Sequence, residues 1–103
     1  MRIFKTKTFA RFARAAGIGD AALRKAVEGA ERGLVDAELG GGVIKQRIAR
    51  EGGGKSGGFR TIVLFRSGER AIFVHGFAKN ERDNIDEDEL RAFKMLAGAN
   101  VGL

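Results

Sequence analysis

The stretch VIKQRIAREGGGKSGGFRTIVLFRSGERAIFVHGFAKNERDNI, residues 43–85, decides the fold of this chain. It holds nine of the 19 Lys and Arg residues, and apolar residues alternate with these charges at the period of two that is typical of β-strands. The alternation predicts a small sheet surrounded by six basic side chains, Lys45, Arg47, Lys55, Arg60, Lys79 and Arg82. Such a surface attracts nucleic acid through counterion release, and a rigid one can stabilise a phosphoryl transition state.

Three strands are predicted within this stretch, at residues 43–49, 59–66 and 70–78. The loop at residues 50–58 has five glycines around Lys55, which suits a hairpin connection that approaches a backbone ligand closely. The alternative is a flexible linker. The triple glycine at residues 40–42 predicts either a flexible loop or a tight entry into the first strand.

Helices are predicted on both sides of the strand region. The first begins with Thr6 or Thr8 as N-cap and ends before Gly17, and the second runs from Gly19 or Asp20 to Gly33. The third begins at Asp86, because the sequence DEDE places an acid three residues beyond the cap and negative charge at the positive end of the helix dipole. The expected buried positions are Phe9, Phe12, Ala13 and Ala16 in the first helix, Leu23, Ala26, Val27 and Ala30 in the second, and Leu90, Phe93 and Leu96 or Ala97 in the third.

The order α-α-β-β-β-α predicts an α+β fold with two N-terminal helices, a three- to four-stranded antiparallel sheet and a C-terminal helix, in which the helices cover one face of the sheet. The length of 103 residues fits a single domain over residues 1–103. No apolar run approaches the ~20 residues of a membrane helix, and no secretory signal is expected.

Composition limits the chemistry that the chain can perform. There is no Cys, so disulfides and thiolate chemistry are excluded, and a reducing cytosol is the simplest compartment. No residue set suggests a metal or a cofactor, and His75 is the only histidine. The net charge of +6 favours an anionic partner but does not distinguish RNA, DNA, the ribosome or an acidic protein.

Four segments in order carry a resemblance to a known family: VIKQRI at 43–48, GKSGGFR at 54–60, GFAKNERDNI at 76–85 and DEDEL at 86–90. With the two preceding helices, the chain resembles a toxin of the RelE/ParE superfamily, close to the HigB-like branch of bacterial type II toxin–antitoxin modules. The resemblance implies a RelE-like fold and a cytoplasmic, ribosome-dependent mRNA endoribonuclease that inhibits translation without a metal or cofactor. It also implies three partners, the ribosome, mRNA and a cognate antitoxin of the helix-turn-helix type.

The resemblance extends to individual basic residues, which match the family at Lys45 and Arg47 on the first strand, Lys55 in the loop, Arg60 after an aromatic residue, and Lys79 and Arg82 before the last helix. Two positions depart from the best-known RelE member. Asn80 stands where that member has a second Arg, and Asp86 stands where it has a stacking Tyr. Base stacking is then expected from Phe77, from Phe59 or from ribosomal bases, with core packing as the alternative for both rings.

Cleavage of RNA by its own 2′-hydroxyl needs a general base, a general acid and stabilisation of a phosphorane dianion. Arg60 is the first candidate for that stabilisation, because a guanidinium offers paired donors to phosphate oxygens. The alternative for Arg60 is an ion pair with Glu69 or Glu81.

Lys45 or Lys79 is a candidate general base if neighbouring charge lowers its pKa. His75 has a suitable intrinsic pKa, but alternation groups it with Phe73 and Phe77, and a core position is the alternative. The remaining candidates, Arg47, Lys55 and Arg82, are expected to bind RNA phosphates.

Two other functions are compatible with the sequence. A ParE-like toxin would bind a protein target such as DNA gyrase and cleave nothing, since a fold alone does not fix function. A basic RNA- or DNA-binding module without catalysis would need only the charge. The basic residues carried on strands favour the ribonuclease.

Overall fold

A computed structural model describes residues 1–49, 58–82 and 84–99 of the chain. Within these residues the fold has three helices and one mixed sheet of five strands. The elements are β1 (Arg2–Lys5), α1 (Lys7–Ala16), α2 (Asp20–Glu31), β2 (Ala37–Gly40), β3 (Val43–Ile48), β4 (Phe59–Arg66), β5 (Arg70–Ala78) and α3 (Glu87–Ala99). No helix in the described part of the chain is long and apolar enough to cross a membrane.

The sheet has the strand order β1-β5-β4-β3-β2. The pairs from β2 to β5 are antiparallel, and β1 pairs in parallel with β5. The α+β class and the three predicted strands are therefore confirmed, whereas the expected three- to four-stranded antiparallel sheet holds only in part, because the sheet has five strands and is mixed. Both edge strands, β1 and β2, are additions to it.

Each edge strand had a weak sequence signal. β2 has only the residues Ala-Glu-Leu-Gly, which have poor strand propensity, and β1 is four residues long and pairs without a local turn. The glycine triplet is a tight hairpin entry rather than a loose loop. Gly40 pairs with Val43, and both Gly41 and Gly42 have positive φ, of 62° and 84°, as in the type I′ turn that joins antiparallel strands.

The helix boundaries follow their predicted caps. The Thr6 side chain accepts a hydrogen bond from the Phe9 amide at 3.1 Å, and Gly17 ends α1 in the left-handed conformation. At α3, Asp86 Oδ1 accepts from the Glu89 amide at 2.8 Å while Glu89 Oε1 accepts from the Asp86 amide at 2.8 Å. This reciprocal pair is a capping box, as the DEDE sequence predicts.

Helices cover both faces of the sheet, so the prediction of a single covered face is wrong. One core cluster joins α1 and α2 to residues such as Ile44, Val63 and Phe73, and a second joins α3 to residues such as Ile62 and Leu64. The reason lies in β4, where four consecutive residues, 61–64, are buried and therefore point alternately to both sides. A sheet whose central strands are apolar on both faces needs cover on both faces. We call the face under α1 and α2 the hairpin face and the face under α3 the α3 face.

Gln46 fastens α2 and its following connection to the sheet. Its side chain is buried on the hairpin face, where Nε2 donates to the Ala26 carbonyl at 2.8 Å and to the Leu34 carbonyl at 3.0 Å. Its Oε1 accepts a hydrogen bond from the Asp36 amide at 3.1 Å. One amide side chain thus satisfies three backbone groups.

We expect Gln46→Leu to lower the free energy of unfolding by about 1–3 kcal/mol, because buried backbone groups lose their partners. Urea denaturation measures this. Thr61→Val is the matched comparison, since it removes one buried hydrogen bond, from Thr61 Oγ1 to the Gln46 carbonyl at 2.9 Å, and should cost about 1 kcal/mol. A leucine variant as stable as the parent protein would contradict this account.

Gly76 of β5 lies directly against the Phe12 side chain of α1. A Cβ atom at this position would lie 2.3 Å from Phe12 Cε2, inside van der Waals contact. The Phe12 ring is itself packed against Phe9 and Phe59, with centroid distances of 5.8 Å to each. Glycine is therefore required at this point of β5 for a steric reason.

We expect Gly76→Ala to destabilise the protein by about 1–3 kcal/mol, because the added methyl forces Phe12 out of its packing. Gly98→Ala serves as the control, since a Cβ there meets nothing within 4 Å and alanine favours the helix. Thermal unfolding of the two variants should move in opposite directions. Equal melting temperatures would rule out the close packing of Phe12 on Gly76.

Candidate nucleic-acid interface

The α3 face of the sheet collects basic side chains from neighbouring strands. Across β3, β4 and β5, Lys45 lies opposite Ile62, which lies opposite His75. In the next row on the same face, Arg47 lies opposite Arg60, which lies opposite Phe77. Residues directly opposite each other share a face, and Ile62 and Phe77 pack in the cluster under α3. We call the resulting group the basic face; it consists of Lys45, Arg47, Arg60 and His75.

Arg60 is the most deeply placed of these cations. Its side chain is 11% exposed, and its Nε lies 3.2 Å from Asp36 Oδ2. Lys45 Nζ lies 3.8 Å from the same oxygen, with 15% of its side chain exposed. The ion pair that we considered for Arg60 therefore exists, but with Asp36 rather than with Glu69 or Glu81. Glu69 instead lies 3.4 Å from Arg66.

Arg60 keeps unused hydrogen-bonding capacity. Its Nη1 is buried and has no hydrogen-bond partner among the residues that the structure describes. The exposed Arg47 stands directly opposite on β3, and like charges in this position are destabilising in a sheet. A buried unpaired donor beside two further cations is expected of a site that receives an anion, because each such group costs free energy when it stays unpaired.

His75 lies at the side of the basic face, half-buried between two rings. Its centroid is 5.9 Å from Phe77 and 5.8 Å from Phe93. Burial lowers the pKa of His75 below 6.5, Glu89 partly opposes this by favouring the imidazolium, and Arg82 adds to the lowering. Its Nε2 is buried without a hydrogen-bond partner in the described residues, and the nearest carboxylate oxygen, Glu89 Oε2, is 3.8 Å away.

A β-bulge changes the expected neighbours of His75. Ile62 pairs with His75 but Val63 pairs with Phe73, so Val74 is an additional residue in β5. Phe73 therefore packs in the hairpin-face cluster, while Phe77 packs under α3 with His75. The prediction that strict alternation places His75 with both Phe73 and Phe77 is wrong for Phe73.

Arg82 is engaged in an ion pair with α3. Its Nη2 lies 2.6 Å from Glu89 Oε1, its Nη1 donates to Glu89 Oε2 at 3.3 Å, and its Nε donates to the Asn84 carbonyl at 2.8 Å. These hydrogen bonds from Arg82, followed by the one from the Asp86 amide, hold the pKa of Glu89 below its ordinary value. To bind an RNA phosphate, Arg82 would have to exchange Glu89 for it.

The remaining predicted residues are placed differently. Lys79 is exposed just beyond β5, where its amide donates to the Gly58 carbonyl at 3.3 Å and so continues the strand pairing. Phe77 is buried, with the Arg82 guanidinium 5.4 Å from its ring centroid. Phe59 is buried too, against Phe12 of α1 and therefore on the hairpin face. Lys55 lies outside the described residues, as do residues 50–57 of the glycine-rich loop.

Sequence reasoning missed Asp36 and Glu89 as members of this region. Glu89 was assigned only to the helix cap, yet it also binds Arg82 and lies near His75. Asp36 was passed over because it precedes an unrecognised strand. Among the described residues, no three His, Cys, Asp or Glu side chains are grouped so that they could hold a metal ion.

We expect NMR titration of His75 to give a pKa below 6.5, with a further decrease in Glu89→Gln, because the carboxylate that favours the imidazolium is lost. The signal needs no assignment, since the chain has one histidine. Asp88→Asn is the matched control, because Asp88 pairs with Arg91 and not with His75.

The same lowered pKa affects stability. Around the ordinary pKa of imidazole the unfolded chain therefore binds more protons at His75 than the folded one, so the free energy of unfolding should fall as the pH is lowered through this range. His75→Gln should reduce this dependence of the free energy of unfolding on pH. A His75 pKa at or above 6.5, or one unmoved by Glu89→Gln, would contradict the assigned environment.

Comparison with known proteins identifies a family for the chain. No curated protein matched the chain significantly. The sequence model of one family, described as the RelE toxin of the RelE / RelB toxin–antitoxin system, matches residues 1–103. A match over the whole chain establishes the family but not the HigB-like branch, which stays a prediction. The chain belongs to the RelE toxin family of toxin–antitoxin systems.

Proposed function

We propose that this RelE-family chain is a ribosome-dependent mRNA endoribonuclease that inhibits translation and is neutralised by a cognate antitoxin. The observation that supports this best is the state of Arg60 and His75. They stand on two neighbouring strands of one sheet face, and each has a buried nitrogen without a hydrogen-bond partner in the described residues. Diagonal neighbours across a sheet are roughly 7–8 Å apart, a separation that one phosphodiester and its ribose can bridge.

The cleavage step requires no group beyond protein side chains and RNA. The 2′-oxygen attacks phosphorus, a base takes the 2′-hydroxyl proton, and the bond from phosphorus to the 5′-oxygen breaks as that oxygen receives a proton. Arg60 is placed to stabilise the phosphorane, since a guanidinium fixed on a strand need not reorganise as charge develops. Metal independence is part of this proposal.

His75 is our candidate for the general base. Burial lowers the pKa of His75 from its ordinary value, which favours the neutral imidazole that can accept a proton. Lys79, exposed at the end of β5, is a candidate to protonate the leaving oxygen, and Lys45 adds positive charge beside Arg60.

Arg47, Lys55 and Arg82 are proposed to bind flanking phosphates, which fixes the register of the RNA without reading its sequence. Phe77 could stack on a base only after Arg82 moved from its ring. The partners in this proposal are the ribosome, mRNA and an antitoxin of the helix-turn-helix type, all in the cytoplasm.

Expression of the chain in a bacterium should arrest growth and produce translation-dependent cuts in mRNA at defined codon positions. Arg60→Ala should abolish the growth arrest and reduce the cleavage rate by roughly 10²–10³-fold, the usual loss when one donor to a developing anion is removed. Primer extension on total RNA, with and without a translation inhibitor, measures both effects.

Arg91→Ala is the matched control, since Arg91 on α3 is 68% exposed and pairs only with Asp88 among the described residues. It removes the same charge and should leave cleavage intact. Growth arrest with failing DNA supercoiling and intact mRNA would instead support a gyrase-directed toxin. Harmless expression combined with salt-dependent retardation of RNA would support a binding module without catalysis.

A further inference from the structure

We propose that Asp36 is a positioning residue, which holds the Arg60 guanidinium in place and presents its remaining edge to the scissile phosphate. This inference rests on the proposed ribonuclease function. Asp36 lies in the segment LVDAELGGG, outside the basic stretch, and has no role in the resemblance. What assigns it a role is its contact with two cations of the basic face.

The fold fixes the backbone of Asp36 on β3. Its amide donates to the Lys45 carbonyl at 3.1 Å and to Gln46 Oε1 at 3.1 Å, and β2 begins at the next residue. Gln46 itself is buried and bound to α2. The backbone that carries the Asp36 carboxylate is therefore held at the edge of the basic face. The conformational entropy of this backbone is lost when the protein folds and not when the substrate binds.

The contact between Asp36 and Arg60 is one-sided. The carboxylate oxygen Oδ2 approaches Nε of the guanidinium, at 3.2 Å, and Nη1 is left buried and without a hydrogen-bond partner in the described part of the chain. A guanidinium has five N–H donors in a rigid planar fork, so a carboxylate at Nε restricts its orientation and leaves the other donors for a second anion. This is the arrangement expected of an arginine that receives its last partner from the substrate.

The charge of the group supports the same conclusion. One carboxylate serves both Arg60 and Lys45, whose distances to Oδ2 are 3.2 Å and 3.8 Å. Two cations and one anion leave a formal charge of +1, so Asp36 orders the site without neutralising it. The limited exposure of the two cations, 11% and 15% of their side chains, makes such a counter-ion necessary, because an unpaired buried charge is costly.

The decisive variant is Asp36→Asn, which keeps the shape of the side chain and removes its charge. We expect kcat for cleavage of ribosome-bound mRNA to fall roughly 100-fold, the scale of a small misplacement of a catalytic group, with KM little changed. When Arg60→Ala is already present, Asp36→Asn should cause no further decrease in kcat, because a positioning residue acts only through the group that it holds.

Glu38→Gln is the matched control. Glu38 lies two residues after Asp36 and is exposed, and its carboxylate has no ion pair among the described residues, so the variant removes one negative charge without removing such a contact. Its kcat should equal that of the parent protein. Equal losses in the two variants would mean that the total charge matters and would overturn the proposal. A full additional loss in the Arg60→Ala background would also overturn it, since Asp36 would then act independently of Arg60.

A readout without catalysis separates this inference from the proposed function. In ¹⁵N NMR spectra, the Arg60 Nε–H should exchange slowly with water in the parent protein and in Glu38→Gln, and rapidly in Asp36→Asn. Titration with inorganic phosphate should perturb Arg60 in the parent protein while its Nε–H stays protected.

If the parent protein cuts no mRNA but these signals behave as stated, the ribonuclease proposal fails and the positioning role of Asp36 stands. Rapid exchange of the Nε–H in the parent protein would overturn the positioning role whatever the activity.

Discussion

The side-chain amide of Gln46 connects the fold of this protein to its candidate site. On the hairpin face it binds the Ala26 and Leu34 carbonyls, which holds α2 and its following connection against β3. The same amide accepts from the Asp36 backbone, and the Asp36 carboxylate reaches Arg60 on the α3 face. Since neighbouring residues of a strand point to opposite sides, β3 binds the helical layer through Gln46 and presents charge through Lys45 and Arg47. Packing on the hairpin face thus helps to position the charged side chains on the α3 face.

Local signals in the sequence were enough to predict most of the fold. The caps at Thr6, Gly17 and Asp86 and the three strands of residues 43–78 depend on neighbours within a few positions, and the structure places them as expected. The edge strands depend on distant partners. β1 is stabilised by parallel pairing with β5, about 70 residues later in the chain, and no turn or periodicity in four residues signals such a contact. The cover of both faces could have been inferred from the buried run in β4, whose residues are apolar or uncharged at every position from 61 to 64.

The candidate site was predictable in its cations and not in its anions. Positive residues were recognised because they repeat along strands, and the register does bring Lys45, Arg47 and Arg60 onto one face. Their counter-ions come from elsewhere, Asp36 from the connection before β2 and Glu89 from the first turn of α3. Which carboxylate meets which cation depends on strand order and helix placement, and these are fixed only by the assembled sheet. For the same reason the sequence suggested Glu69 for Arg60, although Glu69 contacts Arg66 in the adjoining turn.

The bulge at Val74 determines which layer the far end of β5 faces, and so which groups its side chains can meet. Upstream of it, Phe73 belongs to the layer beneath α1, and downstream His75 and Phe77 belong to the layer beneath α3. If the present residues of β5 paired without the bulge, His75 would share a side with Phe73 and its imidazole would point toward the opposite layer, whereas deleting Val74 would leave it opposite Ile62. The bulge, which the residue pattern of β5 does not reveal, therefore decides which layer receives the only imidazole of the chain.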